Sequence, residues 1–393
     1  MRKAPDVVVY TGNRSEYGLL SAVIGELQCE LINLRILAVG DHHEAALGYS
    51  RREIEAAGVE VIDLPYGPGC ENSNQKIAFL INRLDALFAA REPDFLLLYG
   101  DRYETFAAAI CAHQRNIKIV HLEGGDISEG GVQDDSVRHA ISKLATFHLP
   151  SNGESARNLI RIGEEPWRIK VLGLANAGLI ARRDYTDAEA VIKKYGLDAR
   201  TIILFTIHPL PGSLIETDRL TRECIRTLEG LDAARFQVII TYPNSDPLSD
   251  RIIAAYGSVR RNNIQIVPSL GRRDYHGLLA LNLVQLGRVV CVGNSSSGVK
   301  EAGFFKCVAV NIGERQRSRL KAGVVIDCSV DSGAIESAII QACDPAGVLR
   351  EVERTPNPYQ SEVRGGEILD MILAYANDRT VLVKRHLLSE RQT

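Results

Sequence analysis

Several short apolar runs end in side chains that could transfer a proton. Asp101 and Arg102 directly follow one such run, and Glu123 follows the next along the chain. Asp134 comes shortly after Glu123. Neighbouring, partly buried carboxyl groups can differ in pKa, so that one abstracts a proton and another returns it. The pattern indicates acid–base chemistry, although Asp101 and Asp134 could each simply cap a helix.

A second motif is suited to binding a diphosphate. The Gly/Ser-rich stretch 293–298 (GNSSSG) follows an apolar run, and its amides and the hydroxyls of Ser295 and Ser296 could contact an anion. The spacing is not that of a P-loop, which argues against an ATPase. Glu301, about one helical turn later, could accept two hydrogen bonds from a ribose diol. The alternative is a serine helix cap with a glutamate in the first turn.

Four further polar residues stand where apolar runs end: Arg14, His208, Asn244 and Arg315. Arg14 lies in a glycine-containing turn that is not a GxGxxG fingerprint, so it could meet a phosphate or remain solvated. His208 precedes a proline and is therefore expected in extended backbone. A lone histidine is more often structural than catalytic, and charged runs such as the one holding Arg315 are usually solvated.

The apolar runs alternate with longer amphipathic segments, a pattern typical of parallel sheets covered by helices on both faces. Two series of runs occur: 7–10, 35–39, 59–64, 95–99, 117–122, 147–150 and 169–172, then 202–207, 236–242, 264–267, 289–292, 308–312 and 324–326. We therefore predict two doubly wound α/β domains. Ligands of such sheets bind beyond the carboxyl ends of the strands, where the polar residues lie.

The predicted domain boundary follows Gly173. The first domain then spans residues 1–175 and the second 176–365. Apolar residues at helical spacing predict a last helix within 366–393, which by its pattern could belong to either domain.

Composition excludes several classes of protein. Among 393 residues, 46 Lys and Arg balance 49 Asp and Glu, so no basic field favours nucleic acid or a membrane surface. The eight cysteines are scattered without a CxxC pair, which favours free thiols in a reducing compartment and disfavours a zinc site. No signal peptide or membrane span is recognisable, so a soluble cytoplasmic protein is expected.

The motifs, taken in order, resemble the UDP-N-acetylglucosamine 2-epimerase family, and specifically its hydrolysing branch of the sialic acid and legionaminic acid type. They are 12–17 (GNRSEY), 100–104 (GDRYE), 121–126 (HLEGGD), 134–139 (DDSVRH), 208–209 (HP), 242–244 (YPN), 293–298 (GNSSSG), Glu301 and 313–316 (GERQ). Asp126 stands where members acting on UDP-N-acetylglucosamine often carry Glu. The exact sugar therefore stays open between this substrate and a 4-acetamido-6-deoxy analogue.

The resemblance implies a GT-B-like fold of two Rossmann-like domains with the active site in the interdomain cleft. It also implies a last helix that returns to the first domain, and a homodimer or homotetramer. The implied catalytic residues are Asp101, Glu123, Asp134 and His208. The implied residues for binding UDP and the sugar are Arg14, Arg102, Arg138, Asn244, Ser295, Ser296, Glu301 and Arg315.

The implied reaction is anti elimination of UDP across C1–C2 to a 2-acetamidoglucal, followed by addition of water, with neither metal nor redox cofactor. His208 would stabilise the phosphate oxygens as UDP leaves. Three alternatives remain: a non-hydrolysing epimerase, a glycosyltransferase of the same fold, and a non-catalytic nucleotide-sugar sensor. The intact carboxylates disfavour the last two.

Overall fold

The chain divides into two compact units. Unit 1 comprises Met1–Ile127, Gln133–Gly178 and Gln360–Thr393, and unit 2 comprises Ser128–Val132 and Leu179–Tyr359. The computed structural model describes residues 4–45, 49–128, 132–210, 212–244, 246–321, 323–344, 355, 357–360 and 366–385, with only the backbone of 132 and 133.

Unit 1 is built on a six-stranded parallel sheet in the order β3-β2-β1-β4-β5-β6. Its strands are β1 (Asp6–Thr11), β2 (Asn33–Val39), β3 (Glu60–Leu64), β4 (Phe95–Tyr99), β5 (Lys118–Leu122) and β6 (Phe147–Leu149). The chain moves outward from β1 through β2 to β3, then returns to place β4 on the other side of β1. The β1–β4 boundary is therefore a topological switch point, where open α/β sheets bind ligands.

Helices connect these strands. They are α1 (Arg14–Leu27), α2 (Arg51–Glu55), α3 (Ser73–Ala90), α4 (Tyr103–Gln114), α5 (Val132–Leu144) and α6 (Gly153–Arg161). A helix near the carboxyl end, named α14 below, spans Glu367–Tyr375 and contributes Ile368 and Ile372 to the unit 1 core.

The central strands of unit 1 are apolar throughout because both faces of the sheet are covered. Val7 and Val9 of β1 belong to the core on one face, whereas Val8 and Tyr10 belong to the core on the other. This two-residue alternation is the geometry of a strand, and burial on both sides explains the unbroken apolar run.

Unit 2 repeats the plan with a six-stranded parallel sheet in the order β12-β11-β10-β7-β8-β9. The strands are β7 (Thr201–Thr206), β8 (Phe236–Thr241), β9 (Ile264–Val267), β10 (Val289–Gly293), β11 (Val308–Ile312) and β12 (Val325–Cys328). Here the switch point lies between β7 and β10.

The remaining helices are α7 (Ala177–Ala181), α8 (Ala188–Tyr195), α9 (Leu214–Gly230), α10 (Ser249–Tyr256), α11 (Gly271–Val284), α12 (Ser296–Lys300) and α13 (Ser332–Ala342). Within unit 2, Leu220 and Cys224 of α9 and Ile339 of α13 pack against Phe205 and Val292 in the core.

The predicted α/β class with two Rossmann-like units is confirmed. One predicted strand is wrong: residues 169–172 form no strand, and Ile169 makes a single isolated bridge to His148. This stretch follows a short 3₁₀ helix, Pro166–Arg168, and β6 itself has only three residues to pair with.

Candidate active site

The predicted site residues of unit 1 follow strands that are neighbours in the sheet. Arg14 begins α1 after β1, Asp101 and Arg102 follow β4, and Glu123 follows β5. Because β1, β4 and β5 are consecutive and parallel, these residues share one edge at the switch point. Asp134 lies in the first turn of α5, the helix that follows the β5 loop.

Arg138 connects α5 to the segments that follow β4 and β5 within unit 1. Its side chain is almost completely buried on α5 and forms an ion pair with Asp101. It also donates to Asp135 Oδ1 at 2.5 Å and to the carbonyl oxygen of Asp126 at 2.8 Å. A buried guanidinium with several oxygen partners has a fixed orientation, so the Asp101 carboxylate is held in place by α5.

His121 holds the β4 loop against α5. Its Nε2 donates to the carbonyl oxygen of Gly100 at 2.8 Å, and its Nδ1 lies 3.0 Å from Ser142 Oγ. Burial lowers the pKa of His121 to about 3, so the ring is neutral near pH 7. The Asp101 loop therefore depends on a buried histidine near the carboxyl end of the next strand.

The glycines after Glu123 are required by close packing. A Cβ on Gly124 would lie 2.8 Å from Ser142 Oγ, and one on Gly125 would lie 2.2 Å from the carbonyl oxygen of Ser155. Glu123 itself adopts φ 61°, in the left-handed region that costs a non-glycine residue about 1 kcal/mol. The backbone that presents Glu123 is thus tightly positioned.

The start of α1 contains a buried glutamate that was not among the predicted site residues. Asn13 caps the helix by accepting from the Glu16 N–H at 3.1 Å, and Glu16 Oε2 accepts from the Gly12 N–H at 2.7 Å. Burial raises the pKa of Glu16 to about 7 against the opposing effect of Arg102. The Asn13–Glu16 spacing, typical of a helix start, was the available sequence signal.

A second buried glutamate lies beside the first. A methyl group on Gly12 would be 3.4 Å from Glu16 Oε2 and 3.8 Å from Glu104 Cβ, so both side chains converge there. Arg102, predicted to bind the nucleotide, donates from Nε to Glu104 Oε2 at 3.3 Å. Arg102 thus bonds to Glu104 just after β4 and lies close to Glu16.

The raised pKa of Glu16 predicts a pH dependence of stability. Between the unfolded value of about 4.5 and the folded value of about 7, the folded state binds a proton that the unfolded state lacks. Stability should therefore fall as the pH rises through this window. From pH 5 to pH 8 wild type should lose about 2 kcal/mol relative to Glu16→Gln, measured by urea unfolding of the transition that includes unit 1. Parallel pH profiles for the two proteins would contradict the raised pKa.

The unit 2 residues also follow adjacent strands. His208 follows β7, Asn244 follows β8, Ser295 and Ser296 follow β10, and Arg315 follows β11. These four strands are consecutive in the order β11-β10-β7-β8. The structure therefore brings the predicted unit 2 residues to one edge, around the β7–β10 switch point.

Asn294, completely buried, connects three of these strand ends. Its side-chain amide donates to the carbonyl oxygen of His208 at 2.9 Å and its Oδ1 accepts from the His208 N–H at 2.7 Å. Its own carbonyl oxygen accepts from Arg315 Nη1 at 3.1 Å and from Gln316 Nε2 at 3.0 Å. Asn294 and Gln316 were not predicted as site residues, yet Asn294 fixes the backbone of His208 and Gln316 bonds to Asn294.

The β10 turn requires a glycine before Asn294. Gly293 has φ 143°, and a Cβ there would lie 1.8 Å from the carbonyl oxygen of Thr206 on β7. Ser295 then caps α12, and its Oγ lies 3.0 Å from Ser297 Oγ. The cap interpretation of Ser295 is confirmed by this geometry, which is also compatible with anion binding.

The side chains of His208 and Glu301 are both partly enclosed. His208 is 6% exposed, and its Nδ1 lies 3.5 Å from the Asn244 N–H and 3.8 Å from Asp246 Oδ2. Glu301 Oε2 lies 2.6 Å from Nε2 of His276, a residue of α11 that carried no recognisable sequence signal.

The chain as a whole matches a known family. The family model described as UDP-N-acetylglucosamine 2-epimerase matches residues 26–373. The chain belongs to this family. It is 33% identical over 346 residues to the UDP-N,N'-diacetylbacillosamine 2-epimerase (hydrolyzing) of Legionella pneumophila, covering 86% of this chain and 88% of that protein. It is 26% identical to the UDP-N-acetylglucosamine 2-epimerase of Neisseria meningitidis, covering 86% and 87%.

Solved structures support the fold of this family member. An S. aureus MnaA–UDP co-structure aligns with TM-score 0.76 at 17% identity, covering 95% of this chain and 97% of that one. The structure of UDP-GlcNAc 2-epimerase from Neisseria meningitidis bound to UDP-GlcNAc aligns with TM-score 0.66 at 17% identity, covering 94% and 99%. At these identities the likeness concerns the GT-B-like fold alone.

The part of the chain that the structure describes holds neither a metal-binding cluster nor a membrane-spanning helix. Over those ranges, no group of three or more His, Cys, Asp and Glu side chains is placed to hold a metal ion. No helix within them is both long and apolar enough to cross a membrane.

Proposed function

We propose that this family member is a hydrolysing epimerase. It converts UDP-N-acetylglucosamine, or its 4-acetamido-6-deoxy analogue UDP-N,N'-diacetylbacillosamine, and water into the 2-epimeric free sugar and UDP. The observation that carries the proposal is the set of three carboxyl side chains at one end of unit 1: Asp101, Glu123 and Asp134. Inverting a carbon that bears a weakly acidic proton requires groups that remove and return it.

The hydrolysing outcome and the choice of sugar are supported by the relatives. The Legionella relative and a Campylobacter jejuni relative, at 33% and 27% identity, are both described as hydrolyzing enzymes for diacetylbacillosamine nucleotides. The Neisseria UDP-N-acetylglucosamine 2-epimerase is 26% identical. The diacetylbacillosamine nucleotide is accordingly the first substrate to test.

In the proposed reaction a carboxylate of unit 1 removes the C2 proton while the C1–oxygen bond to UDP breaks, which leaves a C1=C2 double bond. A water oxygen then bonds to C1 and the water gives up one proton, while a proton is added to C2 from the opposite face. Asp101, Glu123 and Asp134 share these proton transfers in the proposal. Arg138 is a positioning residue here, because its buried guanidinium holds the Asp101 carboxylate.

Unit 2 is proposed to hold the nucleotide. Ser295 and Ser296 would bind the diphosphate, and Glu301 the ribose diol. His208, Asn244 and Arg315 would stabilise the charge that develops on the departing diphosphate, since donors held in position need no reorganisation during the reaction. Asn294 supports this role by fixing the backbone of His208 and the side chain of Arg315. In unit 1, Arg14 and Arg102 would supply further cationic contacts.

The test is incubation with each UDP-sugar, and with the GDP form of the second, in heavy water followed by proton NMR. We expect free nucleoside diphosphate in equal amount to a free sugar of inverted C2 configuration, with deuterium at C2. The deuterium is expected because the proton removed from C2 exchanges with, or is replaced from, solvent.

Each of the other outcomes would indicate a different activity for this protein. A C2-inverted sugar still linked to UDP would indicate a non-hydrolysing epimerase. Release of UDP with the C2 proton retained would indicate cleavage without epimerisation, as expected of a transferase acting on water. Binding without any turnover would indicate a sensor. Glu123→Gln is the negative control, since it should release free sugar and nucleoside diphosphate at least about a hundredfold more slowly while the protein stays folded.

A further inference from the structure

His276 is a buried histidine that contacts a residue of the proposed nucleotide site. It lies on α11, 1% exposed, with its Nε2 2.6 Å from Glu301 Oε2. Glu301 is the residue directly after α12, and its side chain is 13% exposed. One oxygen of the Glu301 carboxylate is therefore tied to a side chain from a different helix.

The hydrogen bond identifies the donor nitrogen of the histidine, because a carboxylate oxygen accepts. His276 Nδ1 is buried and has no hydrogen-bond partner among the described residues. A proton on Nδ1 would leave an unpaired N–H inside the protein, which is costly. Nε2 is therefore the ring nitrogen that donates, and it donates to the Glu301 carboxylate.

The ring is also fixed in orientation. Its centroid lies 5.1 Å from that of Phe305, which is completely buried, and the neighbouring Leu278 and Leu279 of α11 are completely buried as well. Rotation of the His276 ring would break both the Phe305 contact and the bond to Glu301. The donor that meets Glu301 is thus rigid.

We propose that His276 is a positioning residue that holds the Glu301 carboxylate for a ribose diol and so makes the site select ribonucleotides over 2'-deoxyribonucleotides. The inference rests on the proposed function, in which Glu301 binds the ribose. A carboxylate oxygen accepts more than one hydrogen bond, so Oε2 can keep its bond to His276 while it accepts a hydroxyl. A side chain already held in its bound rotamer loses less entropy when the ligand arrives.

The experiment compares UDP with 2'-deoxy-UDP by calorimetric titration of the full chain. Wild type should bind UDP at least about tenfold more tightly than 2'-deoxy-UDP. His276→Leu, which removes the donor at similar volume, should weaken UDP binding about tenfold and leave 2'-deoxy-UDP binding nearly unchanged. His276→Gln should restore most of the preference, because its amide N–H reaches the position of Nε2. A ratio of two affinities does not depend on the fraction of protein that is folded.

Glu301→Gln separates this inference from the proposed function. It should lose the preference for UDP, and adding His276→Leu should then change nothing further, because the two residues act through one contact. If Glu301→Gln loses the preference but His276→Leu keeps it, the positioning role is overturned and the nucleotide site stands. If wild type shows no preference, or Glu301→Gln keeps it, both the ribose role of Glu301 and the inference are overturned.

Discussion

Asp101→Asn, Glu123→Gln and Asp134→Asn should each lower turnover of the UDP-sugar by a factor of about a hundred or more, the usual scale for a general acid or base. Each replacement is nearly the same size as the original, so packing should survive. Affinity for UDP should stay within a few-fold, since the proposed nucleotide contacts are made by other residues. Steady-state kinetics and calorimetric UDP titration measure the two effects separately.

Asp135→Asn is the matched control for Asp101→Asn. Both carboxylates bond to Arg138, and both are partly exposed, at 20% and 24% of their side chains. If Asp101→Asn acted only by leaving Arg138 short of a partner, Asp135→Asn should lower turnover equally. We expect Asp135→Asn to retain turnover within about tenfold, which would assign the larger loss to chemistry at Asp101.

Synthetic 2-acetamidoglucal distinguishes the steps. A variant that lacks the group for proton abstraction should still hydrate the glucal, whereas a variant that lacks the group for hydration should instead exchange the C2 proton. At least one of the three variants should keep one of these partial reactions. Wild-type turnover in all three variants would mean that these carboxylates have no catalytic role.

The strands could be predicted from the sequence because a strand buried on both faces is apolar along its whole length. The bounds of the apolar run are therefore close to the bounds of the strand. The runs 95–99, 264–267 and 308–312 coincide with β4, β9 and β11. The polar residues that follow the strands could be grouped too, since the carboxyl ends of parallel strands share one edge. The predicted strand at residues 169–172 was wrong, because an apolar run alone does not show whether a neighbouring strand is long enough to pair with it.

Contacts between a helix and a residue of another element could not be predicted. Arg138 meets Asp101 from 37 positions away, and His276 meets Glu301 from 25 positions away. Each contact depends on how a helix packs across the sheet, which a single sequence does not encode in any local spacing. Glu16 differs, because its position three residues after Asn13 is a recognisable local pattern.

Lys384 makes a contact between distant parts of the sequence within unit 1, where it packs against the end of α5. Its ammonium group donates to the carbonyl oxygens of Ser142, Lys143 and Ala145 at 3.2, 3.0 and 2.9 Å. These carbonyls lie at the end of α5, where cations are favoured by the helix dipole. Lys384 therefore attaches the segment after α14 to the helix that carries Asp134 and Arg138.

Lys384 also neutralises a buried carboxylate. Glu164 has a fully buried side chain that forms ion pairs with Lys384 and with Lys143, and it accepts from His148 Nε2 at 2.9 Å. Burial alone would raise the pKa of Glu164, but the bonds to His148 and the two lysines outweigh it and lower the pKa to about 2. The carboxylate is thus ionised inside unit 1 and depends on its cations.

Lys384→Met should destabilise unit 1 by about 3 kcal/mol at pH 7, the lower end of the range for breaking a buried ion pair, because Glu164 keeps two of its partners. Three helix-end carbonyls lose their donor as well. The measurement is urea unfolding followed by circular dichroism, with the unit 1 transition analysed separately. Turnover per folded molecule should stay close to wild type, since Lys384 contacts none of the proposed catalytic side chains.

Lys143→Met is the matched control because Lys143 Nζ bonds to the same carboxylate at 2.7 Å, yet its side chain is 36% exposed against 8% for Lys384. Water replaces an exposed ammonium at little cost, so this variant should lose only about 1 kcal/mol or less. Equal losses in the two variants would mean that burial of Lys384 contributes nothing. A larger loss for Lys384→Met would show that the carboxyl-terminal segment stabilises the unit through a buried charge, and not through its apolar residues alone.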